Sequence, residues 1–133
     1  MSVLIDTCIF VALSNNRDVN HGKARKLIEE CMKGKYGKPY ISDYIFDETL
    51  TTTLVRTKNH KKSVELGEYL LGSEIDIIRI DEESFQKAWE MYKKNTLSFT
   101  DCTSLAILKT YGINKLITFD SQLKKAAGKK AVV

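Results

Sequence analysis

Short β-prone runs alternate with longer helical stretches along all 133 residues, and this alternation limits the chain to a small set of folds. Val3-Leu4-Ile5 reads as a first strand and is followed at once by an apolar helical turn, Cys8 to Leu13. Asn20 is placed to cap a helix running to about Lys33, with Ala24, Leu27, Ile28 and Cys31 on one face. Gly34 and Gly37 break it. Pro39-Tyr40-Ile41 is a second strand, and Ser42 caps a helix through about Arg56. A helix from His60 to Leu71, a strand from Ile75 to Ile80, and a helix capped by Asp81 that carries Phe85, Ala88, Trp89 and Tyr92 come next. Thr100 is expected to cap a helix that stops at Gly112. The pattern ends with a strand from Leu116 to Phe119, a short helix from Ser121 to Ala127, and a last strand from Ala131 to Val133. Strands separated by helices predict one α/β domain over residues 1–133, its parallel sheet covered on both faces.

Four carboxylates fall where such a domain gathers a ligand site. Asp6 and Asp120 each follow a strand, and open α/β sheets bind ligands at the carboxyl ends of their strands. Each is equally well explained as a helix N-cap. Asp101 lies in the first turn of a helix, where the helix dipole alone favours an acid. Glu48 shares a helical face with Tyr44, Ile45, Thr52 and Val55, but periodicity does not separate it from Asp47. Converging carboxylates repel one another unless a cation sits among them, so four such acids suggest one acidic metal pocket. The hydroxyl residues Thr7, Ser98, Thr100 and Thr118 stand next to these acids and are suited to orient them and hold water.

The 21 basic and 17 acidic residues leave a net charge of +4, which permits a nucleic-acid partner. If four acids retire into a pocket, the remaining surface is more basic than that total. The densest basic run holds Arg56, Lys58, Lys61 and Lys62. It reads first as a solvated loop, with phosphate contact as the alternative. Lys124, Lys125, Lys129 and Lys130 form a second cluster. Trp89 and Tyr92, at helical spacing, are expected in the core. Cys8, Cys31 and Cys102 are odd in number and widely spaced, which points to reduced, buried thiols in a cytoplasmic protein. The apolar start carries Asp6 in its middle and no basic leader, unlike a signal peptide or membrane span. There is no phosphate-binding glycine loop and no nucleophile elbow.

Four segments in order resemble PIN-domain ribonucleases, particularly VapC-type toxins of toxin–antitoxin pairs: Leu4-Ile5-Asp6-Thr7, Ser42 through Leu50, Leu97 through Cys102, and Ile117-Thr118-Phe119-Asp120. The resemblance runs nearly end to end. It implies a three-layer α/β/α sandwich with a five-stranded parallel sheet in the order 3-2-1-4-5. Glu48 rather than Asp47 matches the family's acid, and Cys8 stands where the family often has a small or polar residue. The implied activity is Mg²⁺- or Mn²⁺-dependent hydrolysis of single-stranded RNA, with Asp6, Glu48, Asp101 and Asp120 as catalytic and metal-binding residues. A homodimer is also implied, and the helices bearing Leu50, Leu54, Val64, Leu66, Leu70 and Leu71 are rich enough in apolar residues to supply its interface. A cognate antitoxin is a further expected partner. The rival expectation is a non-catalytic module that uses the same fold to hold RNA or a protein.

Overall fold

A computed structural model describes residues 1–132. The order is β1 (Ser2–Ile5), α1 (Thr7–Ser14), α2 (His21–Met32), β2 (Lys38–Ser42), α3 (Asp43–Thr57), α4 (His60–Gly72), β3 (Asp76–Ile78), α5 (Glu82–Lys94), α6 (Phe99–Thr110), β4 (Lys115–Ile117), α7 (Ser121–Ala127) and β5 (Ala131–Val132). A 3₁₀ turn, Gly128–Lys130, joins α7 to β5. The expected last strand extended to Val133, which lies outside the described residues.

The five strands pair in parallel in the order β3-β2-β1-β4-β5, as expected. Parallel crossovers are right-handed, so winding outward from β1 to β3 and then back to β4 and β5 puts α1 to α4 on one face of the sheet and α5 to α7 on the other. Helices α1 to α4 pack among themselves, and α5, α6 and α7 do likewise. Both faces of β1 are covered: Val3, Leu4 and Ile5 are all fully buried, although alternate strand side chains point to opposite faces. Phe10, Ile41, Ile45, Ile107, Leu116 and Ile117 complete the centre of the core. The switch in winding direction falls between β1 and β4, and α3 touches α6 nearby.

Several element ends differ from expectation. The third strand stops at Ile78 because the Ile80 amide leaves the ladder and donates to Asp43 Oδ1 at 3.2 Å. The fourth stops at Ile117, where the Thr118 hydroxyl becomes the acceptor for the Asp120 amide. Ser98, not Thr100, caps α6, its Oγ accepting from the Asp101 amide at 3.1 Å. Asn20 starts α2 without a side-chain cap, and the Asp18 carboxylate accepts from its amide instead. Ser42 and Asp81 cap as expected.

Packing corrects three further expectations. Trp89 and Tyr92 are 45% and 43% exposed and stack on each other with centroids 6.0 Å apart, outside the core. The inward face of α5 is carried by small residues, Ser84 and Ala88, which leaves the aromatics on the flank. Leu66 and Leu70 are core residues, so the exposed apolar surface of α3 and α4 comes from Leu54, Val55, Val64 and Leu71. Cys31 and Cys102 are buried free thiols, while Cys8 is only half-buried. Among the described residues, no helix is long and apolar enough to cross a membrane.

Candidate active site

Asp6 closes β1 and opens α1. Its amide donates to the Ile117 carbonyl at 3.0 Å, carrying the β1–β4 pairing one residue past the strand. Its side chain then has nowhere to go but the gap beyond the strand ends, where it is 5% exposed. Oδ1 accepts from the Thr7 amide at 2.9 Å, and Oδ2 accepts from Thr118 Oγ1 at 2.6 Å and from Cys8 Sγ at 3.5 Å. Burial pushes the carboxyl pKa up. The hydrogen bonds from Thr118, Thr7 and Cys8 oppose that rise, and the nearby Asp120 adds to it.

Thr118 is fully buried and ties two acids together. Its hydroxyl donates to Asp6 and accepts from the Asp120 amide at 3.0 Å, so the chain after β4 is set by the same atom that orients Asp6. Asp120 caps α7, with Oδ1 accepting from the Leu123 amide at 2.8 Å, and its residue is exposed. The capping and site roles of Asp6 and Asp120 therefore coexist. Each cap bond occupies one oxygen.

The other two acids arrive on helices. Glu48 lies in α3 on a stripe with Thr52 and Arg56, at i+4 and i+8, and all three line the same pocket as Asp6. Asp47 is exposed and is not among the pocket walls, which separates the two acids that periodicity left together. Asp101 is the third residue of α6 and is half-buried. Its carboxyl is pushed up to about 7, first by burial and then by the charges of Asp6, Asp120 and Glu48, with Ser98 opposing. The site reads its own composition in that shift: four carboxylates repel across one cavity of about 430 Å³.

No lysine or arginine neutralises them. None of the ion pairs among the described residues includes any of the four acids. Nor, among the described residues, do any three acidic, imidazole or thiol side chains converge tightly enough to form a finished metal cage. The acids ring a space rather than a point. The four acids supply an all-oxygen donor set with spare carboxylate oxygens and room for water, and the Cys8 thiol on the same wall is held protonated, its pKa pushed up to about 11 by burial. Such a site suits a small hard cation that keeps part of its hydration shell.

Of the hydroxyl residues, Thr7 and Ser98 join Thr118 at the site. Thr7 lines the pocket, but its Oγ1 is buried and makes no hydrogen bond of its own. Thr100 is not among the walls, because α6 begins earlier than expected; its carbonyl accepts instead from Thr103 Oγ1. Of the basic run, Arg56 lines the pocket, while Lys58, Lys61 and Lys62 do not. Lys58 ends α3 in the left-handed region at φ 53°, which carries the chain away from the site after it. Cys8, Thr52, Asp18 and Asn20 are wall residues that sequence reasoning did not place. Thr52 was findable four residues after Glu48, and Cys8 was noted only as a departure from the family pattern. No local signal marks Asp18 or Asn20, since tertiary packing of α1 against α2 brings them in.

Comparison with known proteins agrees with this architecture. The PIN domain model matches residues 3–129. A VapC ribonuclease of Archaeoglobus fulgidus is 31% identical over 126 residues, covering 92% of this chain and 79% of that protein. The crystal structure of Mycobacterium tuberculosis VapC20, described as a sarcin-ricin loop cleaving toxin, superposes with a TM-score of 0.80 at 25% identity, covering 93% of this chain and 94% of that one. A toxin–antitoxin complex from Klebsiella pneumoniae shares the fold, with a TM-score of 0.69 at 17% identity over 98% of this chain and 96% of that one. With the family model spanning nearly the whole sequence and its acids gathered at the strand ends, the chain belongs to the PIN-domain family, and within it to the VapC type.

Proposed function

We propose that the protein is a Mg²⁺- or Mn²⁺-dependent endoribonuclease that cuts single-stranded RNA or exposed loops, the toxin of a toxin–antitoxin pair. The observation that carries this reading is the ring of Asp6, Glu48, Asp101 and Asp120 around one cavity, none of them ion-paired with a lysine or arginine among the described residues. Relatives named as a VapC ribonuclease and a 23S rRNA-specific endonuclease support the substrate class. A bound divalent ion supplies a lowered pKa for water and neutralises charge building on the phosphate.

The residues around it have separable tasks. Asp6, fixed by three donors, offers its carboxylate from an immobile wall. Asp101 and Glu48 close the opposite side from their helices, and Asp120 contributes the oxygen its cap bond leaves unused. Thr118 keeps Asp6 and Asp120 in register. Arg56 gives the same cavity a guanidinium whose planar fork suits a phosphate, so a strand can enter an otherwise repulsive site. Attack by water leaves a 5′-phosphate and a 3′-hydroxyl. We place this activity in the cytoplasm, with its RNA.

Two partners follow from the same reading. The exposed Leu54, Val55, Val64 and Leu71 on α3 and α4 supply an apolar face for a homodimer. A cognate antitoxin would silence the site by placing an arginine among the carboxylates in place of the cation. The direct test incubates purified protein with end-labelled single-stranded RNA in Mg²⁺, in Mn²⁺ and in chelator. Cleavage only with added ion, leaving 5′-phosphate ends, is expected. RNA retardation without cutting in either ion would replace the nuclease by a binding module.

A further inference from the structure

The acidic pocket has a neighbouring groove. Ser98 and Asp120 line the pocket, and their chain neighbours line the groove, about 390 Å³ in volume. Asn95, Thr96 and Leu97 form one side of this groove, and Gln122, Lys125 and Ala126 the other. It therefore lies beside the pocket, between the α5–α6 loop and α7. Its walls carry two amides, a hydroxyl and an ammonium but no carboxylate. Asn95 commits its amide nitrogen to the Met91 carbonyl at 2.8 Å, which leaves the amide oxygen as a free acceptor.

Charge along α7 is one-sided: Lys125 lines this groove, and Lys130 lines the next one, which shares Ala126 with it. Beyond Gly112 the sequence holds five lysines and a single acid, and that acid is Asp120 of the pocket. Among the described residues, Lys124, Lys125, Lys129 and Lys130 pair with no carboxylate, whereas Lys35, Lys38, Lys87 and Lys93 each do. Clustered lysines without counter-charge keep a positive potential in front of them. A polyanion seated with one phosphodiester over four acids needs such potential on its flanks, because the site itself repels it. Arg56 supplies it from α3; beside Asp120 it comes from Lys23, whose ammonium lies 5.7 Å from the centroid of the Phe119 ring, and from the lysine cluster of α7 and the turn after it.

We infer that the groove between Asn95–Leu97 and α7 holds the strand flanking the cut site of a single-stranded RNA, its phosphates against Lys124, Lys125, Lys129 and Lys130. This inference rests on the ribonuclease reading. The amides of Asn95 and Gln122 add donors and acceptors at the height of the backbone, where ribose 2′-hydroxyls pass.

The test measures binding of a labelled single-stranded RNA at several salt concentrations. It uses an Asp101→Asn background so that the strand stays whole. Each phosphate contact on a single strand contributes about 0.7 to the slope of log affinity against log salt. Replacing the four lysines by Gln is expected to flatten that slope by about 2 to 3, and Arg at the same positions to restore it. Lys125→Glu alone, on an exposed helical position, is expected to weaken binding at least about fivefold. An unchanged slope and unchanged Lys125→Glu affinity, with RNA still bound, would overturn the groove and leave the nuclease standing. If the Asp101→Asn parent binds no RNA, both readings fall together.

Discussion

On the strand side of the pocket, Asp6 is 5% exposed and takes hydrogen bonds from Thr7, Thr118 and Cys8. On the helix side, Glu48 and Asp101 are half-buried, and Ser98 is the one side chain that offsets the rise in the Asp101 pKa. Both walls carry the same functional group, yet they are held in place differently. The strand wall is positioned by donors that remain whatever occupies the cavity. The helix wall is positioned by helix packing and is opposed by its own charge. A cation therefore changes little at Asp6 and much at Asp101, and the two should separate in experiment.

The largest effect is on cleavage, and the comparison is sharpened by what accompanies it. Asp6→Asn and Asp101→Asn should each lower cleavage at least about a thousandfold, since each removes a carboxylate from the proposed metal-binding ring. Their stabilities should diverge. Asp101→Asn relieves repulsion and leaves an amide oxygen that still accepts from Ser98, so it is expected to raise cation-free stability by about 1–2 kcal/mol. Asp6→Asn trades an acceptor of the Thr118 hydroxyl for an amide, so it should gain less or lose. Equal unfolding midpoints for the two variants would erase the distinction between the walls.

A smaller effect is the pH dependence of the cation-free protein. With its pKa near 7 when folded against an ordinary 3.8, Asp101 holds a proton in the native state that the unfolded chain has already released. Stability should therefore fall as pH rises from about 4 to 7, by about 1–3 kcal/mol, and level off above. Asp101→Asn should flatten that decline, and added Mg²⁺ should offset it above pH 7, because only the ionised carboxylate binds the ion. Chemical unfolding at pH 5 and pH 8 checks it; a protein more stable at pH 8 without metal would put the strain elsewhere.

The smallest effect separates Arg56 from the rest of its run. Arg56→Gln should weaken RNA binding several-fold, while Lys61→Gln should change it less than twofold, because only Arg56 lines the cavity. Equal effects would return the run to a uniform charged surface.

The parts of this site that sequence reasoning reached are those fixed by local rules. Asp6 and Asp120 follow strands, Ser42 and Asp81 cap helices, and the four acids match a family pattern in order. What it missed depends on how elements meet. Thr100 looked like a cap because a Thr before an acid is a good one, but Ser98 lies three residues before Asp101 and reaches its amide. Trp89 and Tyr92 fit a buried stripe by spacing, and only the small residues facing α6 show that the stripe runs elsewhere. Whether Arg56 or Lys61 reaches the cavity depends on where α3 turns, which Lys58 decides with a left-handed backbone that its side chain does not advertise.

The bond between Thr118 and Asp6 joins residues 112 positions apart. It forms only after β1 and β4 lie side by side, and β4 is among the last elements of the chain. Anchoring Asp6 thus closes a loop spanning those 112 positions, and the entropy lost in closing it is recovered only once β1 and β4 are paired. Until that pairing forms, the Asp6 carboxylate has only its own turn to hold it, so the most firmly held wall of the finished site depends on a distant part of the chain.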